Sequence, residues 1–254
     1  MERDTKIIAL TGKGGVGKTS VSAALVKLLT EEFPKKKILA IDADPAIGLA
    51  TALGIEPKLT LDDIRNEIVA NVEGGKTQEA MELLSESRYK IAEAVVEKDR
   101  FAFLAIGRPE SAGCYCRVNS YLKDVITMIS GQFDYVVIDG EAGIEQINRR
   151  VMEKVTHLLL ISDTSKKGLE VIKTIENVAM DLVQYNKIGL IVNRVEDESM
   201  LERLDTRGLE LLEAIPSDKM LAMYDFEGRS ITDLPDGSPI VTHVKKAMQS
   251  FGIL

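Results

Sequence analysis

Only two cysteines occur in 254 residues, so no disulfide framework argues for secretion. Basic charge is also scarce: 32 Lys and Arg against 40 Asp and Glu leave a net −8, a poor balance for coating DNA, and no nucleic-acid partner is expected. The N-terminal Met1-Glu2-Arg3-Asp4 has no apolar signal region, and no apolar run is long enough to span a bilayer. A cytoplasmic chain without membrane contact is therefore the expectation. No Pro/Gly/Ser-rich linker, low-complexity tract or internal repeat divides the sequence, so one domain is expected over residues 1–254. The hydrophobic fraction of 45% suffices to bury a full core for it.

The most informative stretch is Gly12-Lys13-Gly14-Gly15-Val16-Gly17-Lys18-Thr19, followed by Ser20. Gly12, Gly14, Gly15 and Gly17 let the backbone curl so that successive N–H groups face phosphate oxygens, where side chains would obstruct the approach. Lys18 supplies a point charge to the terminal phosphates, Thr19 offers a hydroxyl to Mg²⁺, and a helix beginning near Gly17 aims its positive end at the same anion. The context agrees, with a buried strand over Lys6 to Thr11 and helical spacing over Ser20 to Leu29. Nucleotide binding is the first expectation.

Further apolar strands are predicted over Lys37 to Asp42, Phe101 to Ile106, Tyr135 to Asp139, Leu158 to Ser162, Ile188 to Asn193 and Leu211 to Ile215. Alternation with helical stretches predicts an α/β fold, a mostly parallel sheet with helices on both faces. A charged helical excursion is expected over about residues 61–98, broken near Gly74-Gly75, with its charges as a solvated face or a client-docking surface. The segment Val241 to Leu254 reads as a last helix packing through Val244, Ala247, Met248 and Phe251.

Ligands of open parallel sheets lie beyond the carboxyl ends of the strands. The second strand ends Asp42-Ala43-Asp44-Pro45, where two carboxylates one residue apart can face a magnesium shell and an attacking water; Asp44 could also cap a helix over Ala46–Leu53. A later strand ends Asp139-Gly140-Glu141-Ala142-Gly143-Ile144-Glu145, with Asp139 placed to bind Mg²⁺ through water and Gly143 to offer an N–H to the γ-phosphate. Asn193-Arg194 closes another strand, and Ile215-Pro216-Ser217-Asp218 the next; from position alone Asn193 reads as an ordinary turn residue. ATP is favoured over GTP, because Arg194 and Glu196 stand where the guanine-reading N-K-x-D has lysine and aspartate.

With Lys13 at the start of the glycine loop, the chain resembles the deviant Walker A ATPases, which include septum-site regulators, plasmid-partition ATPases, the nitrogenase iron protein and metal-insertion ATPases. The resemblance implies a homodimer in which Lys13 reaches the partner's nucleotide. It further implies that Asp44 orients the hydrolytic water, that Asp42 holds a water of the metal shell, and that Asp139 and Gly143 belong to the second switch. Asn193, with Arg194 and Pro216 beside it, would read adenine. Lys13, Lys18 and Asp44 are thus the expected catalytic residues of a Mg²⁺-dependent ATPase, working through positioning and charge neutralisation.

Gly113-Cys114-Tyr115-Cys116 is a second chemical signature. Two thiolates one residue apart supply half of a four-coordinate site, and two such pairs across a twofold axis would complete tetrahedral Zn²⁺ or square-planar Ni²⁺. At these residues, with Arg117 and the D-x-x-A-G-I-E run, the sequence is similar to the CooC-type nickel-insertion ATPases. That resemblance implies a client nickel enzyme, carbon monoxide dehydrogenase or acetyl-CoA synthase. Two alternatives stand beside it. A membrane-positioned regulator would need a basic amphipathic anchor, and Val241 to Leu254 has only Lys245 and Lys246. An iron–sulfur reductase would need a cysteine near the second switch, and Asp139 to Glu145 contains none. The two histidines, His157 and His243, have no metal motif around them.

Overall fold

The computed structural model describes residues 4–73, 77–98, 100–107, 116–140, 151 and 153–254. In chain order the described elements are β1 (Lys6–Gly12), α1 (Lys18–Glu32), β2 (Ile38–Asp42), α2 (Gly48–Ala52), α3 (Leu61–Glu73), α4 (Thr77–Ala94), β3 (Val96–Lys98) and β4 (Phe101–Ala105). There follow α5 (Cys116–Ser130), β5 (Tyr135–Asp139), β6 (His157–Ser162), α6 (Lys166–Leu182), β7 (Lys187–Val195), β8 (Leu211–Pro216), α7 (Lys219–Glu227) and α8 (Pro239–Phe251).

The strands build one eight-stranded sheet in the order β3-β4-β2-β5-β1-β6-β7-β8, parallel throughout except for β3. Each strand expected from the sequence is present, because a strand buried on both faces writes itself as an unbroken apolar run. β3 was not expected: three residues, Val96-Glu97-Lys98, half-buried at the sheet edge, give no such run.

Alternate side chains feed two cores, as the two-residue period of a strand requires. Ile8 and Leu10 pack with α1, α2 and α8 on one face, whereas Ala9 packs with residues of α3, α5 and α6 on the other. Helices therefore cover both faces, as expected. α8 buries Val244, Ala247, Met248 and Phe251 together with Ile240 and Val241.

The charged excursion is helical through α3 and α4, but the expected extent to about residue 98 is corrected: the helix ends at Ala94 and 96–98 form β3; residues 74–76, and hence its glycine break, lie outside the described set. Its charges are more than a solvated face. Asp62 and Arg65 are buried, and the Arg65 guanidinium donates to Asn119 Oδ1 at 2.8 Å, tying α3 to α5. Among the described residues, no helix is long and apolar enough to cross a membrane.

Candidate nucleotide-binding site

β1 delivers Gly12 to the central carboxyl edge of the sheet, between β5 and β6. A Cβ at Gly12 would lie 2.0 Å from the Ile161 carbonyl oxygen, so only glycine allows the chain to turn so close to β6. Gly17 has φ +90 and caps α1 without a side-chain hydrogen bond, which leaves the first amides of that helix available to an anion. The Lys18 ammonium is buried and folds back over the loop, donating to the carbonyls of Lys13 at 3.2 Å and Gly12 at 3.4 Å.

Two carboxylates meet beside this loop. Asp42 and Asp139 are register partners at the ends of β2 and β5, and both are essentially fully buried. Desolvation, reinforced by Asp139, pushes the Asp42 carboxyl up to about 7. Desolvation likewise pushes Asp139 up to about 6, against the opposing pull of Thr19, Ser22 and Lys18. Asp139 Oδ1 accepts from the Ser22 hydroxyl at 2.9 Å, while its other oxygen is buried with no hydrogen-bond partner among the described residues. An orphaned, buried carboxylate oxygen near the Thr19 side chain is a donor set that fits a hard divalent cation such as Mg²⁺.

Asp42 has a structural task that the sequence did not reveal. Its Oδ2 accepts from the amides of Leu49 (2.8 Å) and Ala50 (3.2 Å), and its Oδ1 from the Asp44 amide (3.1 Å). The helix expected from Ala46, capped by Asp44, is corrected accordingly. α2 starts at Gly48 behind Ile47, which adopts φ 52, and Asp42 reaches in from the sheet to satisfy its first amides. Asp44, half-exposed, accepts from the Ala46 amide at 2.9 Å in a turn of its own.

Lys13 leaves the loop toward Asp163, with Nζ 3.1 Å from Oδ2. Partial burial alone would raise the Asp163 carboxyl, but the Ser165 hydroxyl and Lys13 hold it below the usual carboxylate range. On the other flank, Asn193 Nδ2 donates to the Val16 carbonyl at 2.8 Å and packs so near Gly17 that a Cβ there would lie 2.4 Å away. Arg194, at φ 60, donates from its guanidinium to the Gly15 carbonyl at 2.8 Å. Ser20, Asn193, Arg194 and Pro216 line a cleft of about 330 Å³ that also reaches Leu221 and Asp225 of α7. Thus the residues expected at the base are adjacent, although the Asn193 amide already braces the loop.

Gly143 and Cys114 lie outside the described residues, and of Cys116 only the backbone, opening α5, is described. Among the described residues, no group of three or more His, Cys, Asp or Glu is arranged to hold a metal. Sequence reasoning missed Ser22 and Asp163. Ser22 follows Thr19 by one helical turn, and Asp163 directly follows a strand end; both signals were available.

A glycine loop between a parallel strand and a helix, with a buried acidic pair beside the helix's open amides, defines a P-loop nucleotide-binding protein. The chain belongs to the CobQ/CobB/MinD/ParA nucleotide-binding family, whose model matches residues 7–231. It is 37% identical over 244 residues to the uncharacterized ATP-binding protein MJ0685 of Methanocaldococcus jannaschii, covering 94% of this chain and 96% of the relative. It is also 29% identical over 240 residues to the carbon monoxide dehydrogenase accessory protein CooC of Rhodospirillum rubrum, covering 89% of each. The fold is that of the septum site-determining protein MinD of Pyrococcus horikoshii, solved with Mg-ADP, at TM-score 0.66 and 21% identity over 97% of this chain and 96% of that one.

Proposed function

We propose that the chain works as a single P-loop domain in a homodimer that hydrolyses ATP and carries Ni²⁺ or Zn²⁺ on paired Cys114 and Cys116 thiolates to a client nickel enzyme. The observation that carries the ATPase reading is the orphaned Asp139 oxygen beside a glycine loop whose helix amides are uncapped. Thr19 and Asp139 would hold Mg²⁺, with Asp42 steadying its shell; the bound ion supplies charge neutralisation on the terminal phosphates. Lys18, now on loop carbonyls, exchanges them for phosphate oxygens, and Asp44, the less encumbered carboxylate, aligns the attacking water. Lys13 leaves Asp163 to reach the partner's nucleotide. Asn193 and Arg194 hold the loop while the cleft along Pro216 receives adenine. Gly143 would add its amide at the γ-phosphate.

The metal cargo rests on the C-x-C sequence and on the likeness to CooC over nearly the whole chain. A MinD-type spatial regulator is the second reading, favoured by 24% identity over 245 residues to MinD of Bacillus subtilis. In this chain the apolar residues of α8 are spent in the core. Anaerobic titration of the reduced, metal-free protein with Ni²⁺ and with Zn²⁺ separates the two. The cargo reading expects half an ion per protomer and a metal-dependent dimer, both lost in Cys114→Ser/Cys116→Ser. Stoichiometry independent of the cysteines would leave an ATPase switch and favour the regulator.

A further inference from the structure

At the end of the sheet opposite the nucleotide loop, a cleft of about 510 Å³ opens between the α1–β2 connection, the β3–β4 turn and the segment after α5. The buried side chains of Ile38, Phe101 and Ala102 lie beneath it with half-buried Phe133 beside them, and its rim is cationic: Lys35, Lys36, Lys37, Lys98 and Arg100. Glu97 is the only carboxylate among its described lining residues. Such a concentration stands out in a chain with 40 acids and 32 bases.

Most of this charge is not consumed internally. Lys36 pairs with Asp134 at 3.0 Å, and Lys98 donates to the carbonyls of Leu53 (2.8 Å) and Gly54 (3.0 Å). Among the described residues, Lys35, Lys37 and Arg100 have no ion-pair partner, and all three are exposed. Gathered around one cleft with a single carboxylate among the described lining residues, these cations form a complementary surface for an anion. The kind of anion follows from the geometry. A compact phosphate is held by converging backbone amides or a buried guanidinium fork. Here most of the cations stand on long exposed side chains spread around an open cleft, with some apolar surface between them. That spacing suits an extended chain whose carboxylates alternate with apolar side chains.

We propose that this cleft is a docking site for an acidic, Asp/Glu-rich segment of a partner protein. It is separate from the nucleotide site: β2 runs from Ile38 at the cleft to Asp42 at the P-loop, a rise of about 13 Å. It therefore stands whether or not the chain carries metal.

The test is fluorescence anisotropy of the full chain with a short labelled Glu-rich peptide containing interspersed leucines. Wild type should bind, with affinity falling between about 50 and 200 mM salt. Lys35→Glu/Lys37→Glu/Arg100→Glu should weaken binding at least about tenfold, and the milder Lys35→Gln/Lys37→Gln/Arg100→Gln should lie between. A charge-matched control on distant exposed cations, Lys58→Glu/Arg203→Glu/Lys246→Glu, should stay within about twofold of wild type. ATPase activity should be unchanged in all three, which also certifies folding. No binding by wild type, or equal loss in the control, overturns the proposal. So does displacement of the peptide by equimolar tripolyphosphate, which would make the cleft a phosphate site.

Discussion

Two buried carboxylates, Asp42 and Asp139, stand side by side at the carboxyl edge of the sheet. Among the described residues Asp139 keeps one buried oxygen without a partner, and Asp42 is pushed up to about 7 beside it, whereas Asp44 is half-exposed and its carboxylate accepts from the Ala46 amide in its own turn. Asp44 can thus be removed with little structural cost. Asp44→Ala is expected to retain ADP and metal affinity while turnover falls by about a hundredfold or more. Unchanged hydrolysis would remove Asp44 from its role. A second residue-scale prediction concerns His157, whose ring lies edge-on to Phe251 with centroids 5.0 Å apart. Burial, and then Lys187 and Lys6, lower it to about 4. The unfolded chain therefore takes up a proton near pH 6.5 that the folded chain refuses until about 4, so this group's stabilisation is present above 6.5 and is lost as pH falls through that window. The raised Asp42 and Asp139 act in the opposite sense, favouring the metal-free fold at low pH and losing that contribution as pH rises toward about 7 and about 6. Comparison with His157→Phe isolates the imidazole. In urea unfolding, wild type should lose about 1–2 kcal/mol more than the variant between pH 7 and 5, a figure already reduced for solvent screening. Parallel pH slopes would refute the assignment.

Elements were legible wherever burial is two-sided and local. The parallel strands and α8 follow from apolar runs and from helical spacing, and the glycine loop from its composition. What stayed hidden was tertiary. The start of α2 depends on Asp42 arriving from a neighbouring strand, and β3 depends on an antiparallel pairing with β4 that its own three residues do not announce. The β6–α6 junction is a third case. There Asp163 accepts from the Ser165 amide at 3.1 Å while holding Lys13, so one side chain shapes the entry to α6 and parks the loop lysine. Both members of this ion pair are about 30% exposed, 29% and 31%, and such a pair is worth about 1 kcal/mol at most. Its release is therefore cheap compared with what a second protomer's phosphates would offer. Asp163→Ala should leave unfolding stability within about 1 kcal/mol of wild type. It should also shift ATP-dependent dimerisation to about two- to fivefold lower protein concentration, read by analytical ultracentrifugation. A fall in dimer affinity would mean that Asp163 matters to the dimer through the shape of α6.

For the whole molecule, the sheet separates two kinds of surface. Its carboxyl edge gathers the glycine loop, the acidic pair and the cleft along Pro216, and there Lys18, Asn193 and Arg194 are turned onto the chain's own loop whereas Lys13 is not. Lys18 is buried against loop carbonyls and has a task within its own protomer. Lys13, 29% exposed and held by a surface ion pair, is less committed within its own protomer than Lys18. If it acts on a partner's nucleotide, the two lysines must fail differently when removed. Lys18→Ala should lose nucleotide binding itself, whereas Lys13→Ala should bind a non-hydrolysable ATP analogue within about threefold of wild type yet remain monomeric and lose turnover. Calorimetry gives the first quantity and sedimentation with the analogue the second. A Lys13→Ala protein that still dimerises with the analogue would confine this lysine to its own protomer and take away the physical link between nucleotide state and assembly.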